Sequence, residues 1–337
     1  MAAWDGSATP RTRYNSDMAK MFNKHAQLIN NSFPERQAAV LIPDSLTLAI
    51  MSAHQHIDVN SNSYNSASFE NLKKSMFGAF KVLWDMNITA DGLKECNMNE
   101  IRKYKIVLLP MLENMSPEIA ALLRVYVENG GTLIAESPFA FKDENNFLHG
   151  KAPIYGLDEV FGAFTRDREG IETAPDIIYQ DGTKGKAYFL WHPYELTTGK
   201  AAASYEDGRA SVVVNNFGKG KAIVAGTEIF RQYMEKADEA STSFIRRAIL
   251  ESGVIRTAEV MIKNKISDAS SIEVCRLNGN KGTIYIVLNH NETPVSFRLK
   301  IREKTGSWYN MNDNSNVDLD KEITLTAQGV LAFAQTK

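Results

Sequence analysis

The sequence predicts an α/β protein: a parallel sheet with helices on both faces, followed by a small antiparallel β-sandwich. Two observations carry that prediction. Ahead of residue 256, short continuous apolar runs alternate with segments of helical periodicity, as in strands buried on both faces between crossover helices. Beyond it the apolar period drops to two. Strands then recur at roughly ten-residue spacing between Asn- and Gly-containing turns, the pattern of a sandwich.

The elements follow in order. Residues 10–33 read as one helix, with Met18, Met21, Phe22, His25, Leu28 and Ile29 at three- and four-residue spacing and Pro34 as its stop. His25 lies on that apolar stripe and reads as a core histidine. Ala38-Ala-Val-Leu-Ile42 is the first buried strand, ended by Pro43-Asp44. Residues 59–68, rich in Asn and Ser, form a loop into a helix with Phe69, Leu72, Met76, Phe80, Leu83 and Met86 on one face. Ile106-Val-Leu-Leu109 is the second strand. Ser116-Pro-Glu118 then opens a helix, with a capping hydroxyl, a first-turn proline and a carboxylate at the positive end of the helix dipole. That helix stops at Gly130-Gly131, and Thr132-Leu-Ile-Ala135 is the third strand. Later segments are a helical turn over 156–162, strands over 187–190 and 211–215, a turn and then a buried strand over 219–226, and a helix over 243–250. In the sandwich, Ile284, Ile286 and Leu288 alternate with Tyr285 and Val287, and Val295 to Ile301 alternates likewise. Strands over 322–326 and 330–333 close the chain.

Composition narrows the function classes. The 337 residues suggest about two domains, and 44% hydrophobic with 23% charged residues is an ordinary globular composition. Lys plus Arg number 38 and Asp plus Glu 40, a net charge of −2, so no basic footprint points to nucleic acid or an anionic membrane. No apolar run approaches the ~18 residues of a membrane span, and the start lacks the basic and apolar regions of a signal peptide. Cys96 and Cys275 stand apart and read as reduced thiols of a cytoplasmic protein. The His54 and His56 pair has no third ligand type beside it, so neither a metal nor a cofactor is expected. Gly218-Lys-Gly220 and Gly279 to Gly282 lack the spacing of a phosphate loop.

An ordered series of segments carries a family resemblance. Tyr104-Lys-Ile-Val-Leu-Leu-Pro-Met-Leu112, Val125-Tyr-Val-Glu-Asn-Gly-Gly-Thr-Leu-Ile134, Asp143-Glu-Asn-Asn-Phe-Leu-His-Gly150 and Gly156-Leu-Asp-Glu-Val-Phe-Gly162 resemble the middle, trimerisation domain of family 42 glycoside hydrolases, which are β-galactosidases. Trp4-Asp-Gly-Ser-Ala-Thr-Pro-Arg11 resembles the exit from their catalytic barrel. Gly218 to Gly226 and Tyr285-Ile-Val-Leu-Asn-His-Asn291 resemble the end of the middle domain and the C-terminal β-domain. The resemblance implies a flavodoxin-like sheet of the class I glutamine amidotransferase kind. It also implies three regions: a linker and helix over 1–36 leading out of a missing barrel, a trimerisation domain over 37–255, and a β-sandwich over 256–337. The family's two catalytic glutamates lie on a (β/α)₈ barrel of roughly 200–250 residues, for which residues 1–36 leave no room. No catalytic residue is therefore assigned, and the expected role is that of a non-catalytic homo-oligomer, a trimer, bracing a barrel that acts on β-galactosides.

Other functions rest on fewer residues. In glutamine amidotransferases a cysteine sits on a tight turn after a strand. Here Ile134-Ala-Glu-Ser-Pro138 puts Ser137 near that place without the flanking glycines, and Trp191-His-Pro-Tyr-Glu195 only echoes the His-Pro-Glu of those enzymes. Asp143 and Glu144 lie past the C-terminal end of a strand, where open α/β sheets bind ligands, with Glu136 and His149 near in sequence. Trp191 and Trp308 are stacking residues for a sugar, or core aromatics. Glu136, Ser137, Asp143, Glu144, His149 and Trp191 are thus the candidates for contact with a carbohydrate or the barrel. A free-standing carbohydrate-binding relative is the alternative function.

Overall fold

The computed structural model describes residues 6–7, 9–53, 67–166, 174–303 and 306–336. His54, His56 and the polar loop over 59–66 lie outside the described residues. The expected single helix over 10–33 is divided. Helix α1 (Pro10–Lys24) starts at Thr9, whose hydroxyl accepts the Thr12 amide at 3.1 Å. It ends at His25, one further turn forms α2 (Ala26–Ile29), and Ser32–Pro34 is a strand, β1. The break is tertiary in origin: β1 pairs with a strand some 240 residues later, while Leu28 stays buried and preserves the helical spacing.

The chain divides into two compact units, one of residues 36–84 and 90–255, the other of 1–35, 85–89 and 256–337. The first runs β2 (Ala38–Ile42), α3 (Asp44–Ala53), α4 (Ala67–Asp85), β3 (Ala90–Lys94), a 3₁₀ segment Glu95–Lys103, β4 (Ile106–Leu109), α5 (Pro117–Glu128), β5 (Thr132–Glu136) and α6 (Leu157–Phe161). It continues with β6 (Ala163–Phe164), β7 (Asp176–Tyr179), β8 (Lys184–Lys186), β9 (Glu195–Leu196), β10 (Lys200–Tyr205), β11 (Ala210–Phe217), β12 (Gly220–Ala225), α7 (Ile229–Lys236) and α8 (Glu239–Glu251).

Nine of these strands form one sheet in the order β3-β2-β4-β5-β12-β11-β10-β7-β8. The first five are parallel and the other four antiparallel, so the sheet is mixed rather than parallel throughout. The reason is local. Gly218-Lys219 joins β11 to β12, with Gly218 at φ 57°, and a two-residue turn connects only antiparallel neighbours. Strands β2 and β4 are buried on both faces, Val40, Leu41, Val107 and Leu108 alike. On one face Leu41, Leu109, Leu133 and Val224 join Leu123 and Val127 of α5 and Phe161 of α6 in a single core cluster.

One expectation fails here. Residues 187–190 are not a strand, because Phe189 adopts φ 63° and interrupts the extended run. Strand β3 has no signature in the sequence, because it is an edge strand that buries only Leu93 and so carries no apolar run.

The second unit holds β13 (Ala258–Ile262), β14 (Lys265–Ile266), β15 (Ile272–Gly279), β16 (Gly282–Asn289), β17 (Val295–Ile301), β18 (Trp308–Asn310), β19 (Asn316–Val317), β20 (Ile323–Leu325) and β21 (Val330–Thr336). A six-stranded sheet, β1-β15-β16-β21-β18-β19, packs on a four-stranded one, β14-β13-β17-β20. Tyr285, Val287, Trp308 and Phe333 meet Val260, Phe297 and Leu299 between them, with the Tyr285 and Phe333 rings stacked at 5.4 Å. The other face of β16 carries Ile284 and Ile286, which pack with Leu28, Met21 and Ile29 of the leading helices. Both alternating sets of β16 are apolar because both faces are covered. His25 is buried there, its Nε2 2.8 Å from the Met311 carbonyl.

Candidate functional site

The last residue of β5 is Glu136, beside Ala225 at the end of β12, and the Ser137 amide donates to the Ala225 carbonyl at 2.9 Å. This is the C-terminal edge of the parallel strands, where functional groups gather in open α/β sheets. Glu136 is fully buried. Its Oε1 accepts the Ser75 hydroxyl from α4, and its Oε2 accepts the Phe230 amide at the start of α7 at 2.7 Å. Gly78 permits this junction: a Cβ there would lie 1.9 Å from the Phe230 carbonyl oxygen. Burial pushes the Glu136 carboxyl up to about 8. The Ser75 hydroxyl opposes the rise, neighbouring Glu228 adds to it, and the Phe230 and Arg231 amides oppose it.

A charged network continues from there. Glu228, also fully buried, pairs with Arg231 at 3.0 Å, and Arg231 Nε donates to Glu235 at 2.7 Å. Glu235 further accepts Lys74 of α4 at 2.5 Å and the Tyr188 hydroxyl at 2.9 Å. Burial raises the Glu235 carboxyl, but hydrogen bonds from Lys74, Arg231 and Tyr188 outweigh it and hold the group at about 2. The Arg231 guanidinium lies 4.3 Å from the centre of the Phe189 ring. Two cations and two carboxylates thus tie α4 to α7, beside the carboxyl of Glu136. A retaining glycosidase needs two carboxyl groups flanking an open sugar site. Glu136 and Glu228 are both closed off from solvent: Glu136 joins α4 and α7 to the sheet, and Glu228 pairs with Arg231 of α7.

The remaining sequence candidates separate. Ser137 is fully buried, its Oγ 3.4 Å from the Tyr194 hydroxyl. Trp191 is enclosed: its ring meets Tyr205 edge-on at 4.9 Å, and the Arg209 guanidinium sits 5.4 Å above it. Next to it, His192 is buried against Phe141, ring to ring at 4.8 Å. Trp308 is in the sandwich core.

Asp143, Glu144 and His149 lie instead on an exposed loop. Asp143 Oδ1 accepts the Asn145 and Phe147 amides, each at 2.9 Å, and Oδ2 is 3.3 Å from His149 Nε2. The Phe147 amide and the His149 ring hold the Asp143 carboxyl below the usual carboxylate range. Glu144 accepts the Tyr155 hydroxyl at 2.8 Å. The structure therefore brings Glu136 and Ser137 together, groups Asp143, Glu144 and His149 elsewhere, and puts Trp191 with neither set.

The sequence reading missed Lys74, Ser75, Glu228, Arg231 and Glu235. Two signals pointed to them. Ser75 falls on the buried face of α4 between Leu72 and Ala79, a polar group at a core spacing. Glu228 follows the apolar run of β12 at its C-terminal end. Among the described residues no group of three His, Cys, Asp or Glu side chains is placed to hold a metal ion, and Cys96 and Cys275 are free thiols.

The family described as the β-galactosidase trimerisation domain matches residues 50–254. The β-galactosidase Pbg of Clostridium perfringens is 27% identical over 192 residues, covering 52% of this chain and 26% of that protein. The β-galactosidase BgaB of a Geobacillus species is 24% identical over 237 residues, covering 65% of this chain and 31% of its own length. A catalytic mutant of a family 42 β-galactosidase from G. stearothermophilus superposes with a TM-score of 0.80 at 16% identity, over 100% of this chain and 45% of that one. The β-galactosidase of Bacillus circulans sp. alkalophilus superposes at 0.76 with 18% identity, over 98% and 46%. The chain spans about a quarter to a third of these curated relatives and under half of these solved structures. With more than half of its residues matched, the chain belongs to the β-galactosidase trimerisation domain family of the family 42 glycoside hydrolases.

Proposed function

We propose that this chain is the assembly region of a β-galactosidase-like enzyme: it gathers copies into a homo-oligomer, a trimer, and holds no glycosidase chemistry of its own. The match over residues 50–254 carries this reading. The closed Glu136 and Glu228 carboxyls support it, since neither is open to a sugar. The catalytic barrel and its two carboxylates belong, on this reading, to the part of the relatives that the chain does not span. The order of the five parallel strands, second-first-third-fourth-fifth along the chain, supports a flavodoxin-like ancestry for this unit. No helix among the described residues is long and apolar enough to cross a membrane. The two free thiols favour a reducing, cytoplasmic setting.

Sedimentation of the purified chain tests the reading. An oligomer, with no release of nitrophenol from an aryl β-galactoside, is expected; a monomer unchanged by concentration would reject it. A second reading, sugar binding by a free-standing chain, draws on the His149 and Tyr155 rings beside Asp143 and Glu144. Calorimetry with millimolar galactose decides it: heat that Glu144→Gln abolishes would establish binding, and no heat would dismiss it.

A further inference from the structure

Where α4 meets α7, the junction closes over a carboxyl that no cation bonds among the described residues. Glu136 is fully buried, with the Ser75 hydroxyl on Oε1, the Phe230 amide on Oε2 at 2.7 Å and the Arg231 amide beside them. The charged group facing it is Glu228, also a carboxyl and also fully buried. The cations nearby are engaged elsewhere. From α7, Arg231 bonds Glu228 at 3.0 Å and Glu235 at 2.7 Å; from α4, Lys74 bonds Glu235, which also takes the Tyr188 hydroxyl. An ionised Glu136, sealed among a hydroxyl and two amides and beside a like charge, lacks what water or a guanidinium would give it. Phe230 also shows how little room there is. Its amide bonds Glu136, while its carbonyl oxygen would lie 1.9 Å from a Cβ on Gly78, one turn beyond Ser75 on the same face of α4. A junction too tight for a methyl group has no space for the water that a carboxylate requires, so hydrating Glu136 means parting the two helices.

We propose that Glu136 is a proton-operated latch: its neutral carboxyl keeps α4 closed on α7, and loss of the proton opens the junction. The step breaks one O–H bond, and solvent takes the proton. An opened junction lets the carboxyl ionise at its ordinary value, so rising pH favours the open form until the closed form ionises too. Burial pushes that second ionisation up to about 8. Glu235, held at about 2, stays charged throughout and does not contribute. The latch works within one chain, so it stands apart from the assembly reading.

Hydrogen exchange of the full chain at one protein concentration, read by mass spectrometry from pH 5 to 9 and corrected for the intrinsic rate, tests the latch. Opening read from α4 and α7 amides should rise about tenfold per pH unit from 5 to 8 and level off above. Amides of α5 should stay better protected at every pH, because the opening is local. Glu136→Gln, which keeps a donor and an acceptor without a charge, should show no such rise. An equal pH dependence in Glu136→Gln, a flat wild type, or equal protection of α4, α7 and α5 overturns the proposal. Infrared spectra of the wild type keep it falsifiable should Glu136→Gln fail to fold. The band of a protonated carboxyl should persist at pH 7 and vanish at the pH where opening levels off; its absence at pH 7 overturns the latch.

Discussion

Glu136 binds its proton far more tightly in the folded chain, at about 8, than at the ordinary carboxyl value of 4.5. Between those values the folded state holds more protons than the unfolded one, so stability falls as pH rises. The contribution is fully present below 4.5 and lost on passing about 8. Urea unfolding at constant ionic strength should show wild-type stability declining from pH 5 to 8 relative to Glu136→Gln, by at most ~1.4 kcal/mol per pH unit. Parallel pH profiles for the two proteins would show that Glu136 does not hold this proton. The neighbouring Gly78 gives a steric counterpart. Alanine there meets backbone at 1.9 Å, so Gly78→Ala should cost about 1–3 kcal/mol in the same assay despite its better helix propensity.

At the scale of elements, α2 is a single turn whose worth lies in one side chain. Leu28 reaches Ile284 and Ala334 on the outer face of the six-stranded sheet. Leu28→Ala should therefore destabilise the unit containing the sandwich by about 2–5 kcal/mol, read from its denaturant midpoint, far more than the loss of one helical turn would suggest. The entry to α5 is the opposite case, governed by local chemistry: the Ser116 hydroxyl accepts the Ile119 amide at 3.2 Å, and Pro117 opens the helix. Ser116→Ala should cost ~1 kcal/mol. Of these two elements, α5 was legible in the sequence because its start is encoded in adjacent residues. The end of the leading helix was not, because β1 exists only through its pairing with Leu277 to Gly279.

For the whole molecule, assembly would make stability depend on concentration, since association stabilises the folded state by mass action. The thermal midpoint of the chain should rise with protein concentration. A flat dependence in the wild type would argue against assembly.

Apolar spacing by itself located four of the five parallel strands, though not the edge strand β3, and the change to a sandwich near residue 256, while a series of segments was specific enough to name the family. These are local properties, written in side chains close together along the chain. The candidate site was legible only in part. Glu136 and Ser137 could be located at a strand end, but nothing in the sequence told that both are closed from solvent or that Trp191 is enclosed by Tyr205 and Arg209. The partners of Glu136 come from residues 61 and 94 positions away. Burial and charge pairing over such separations arise when helices pack on the sheet, so only the tertiary structure decided which carboxyls face water and which hold the fold.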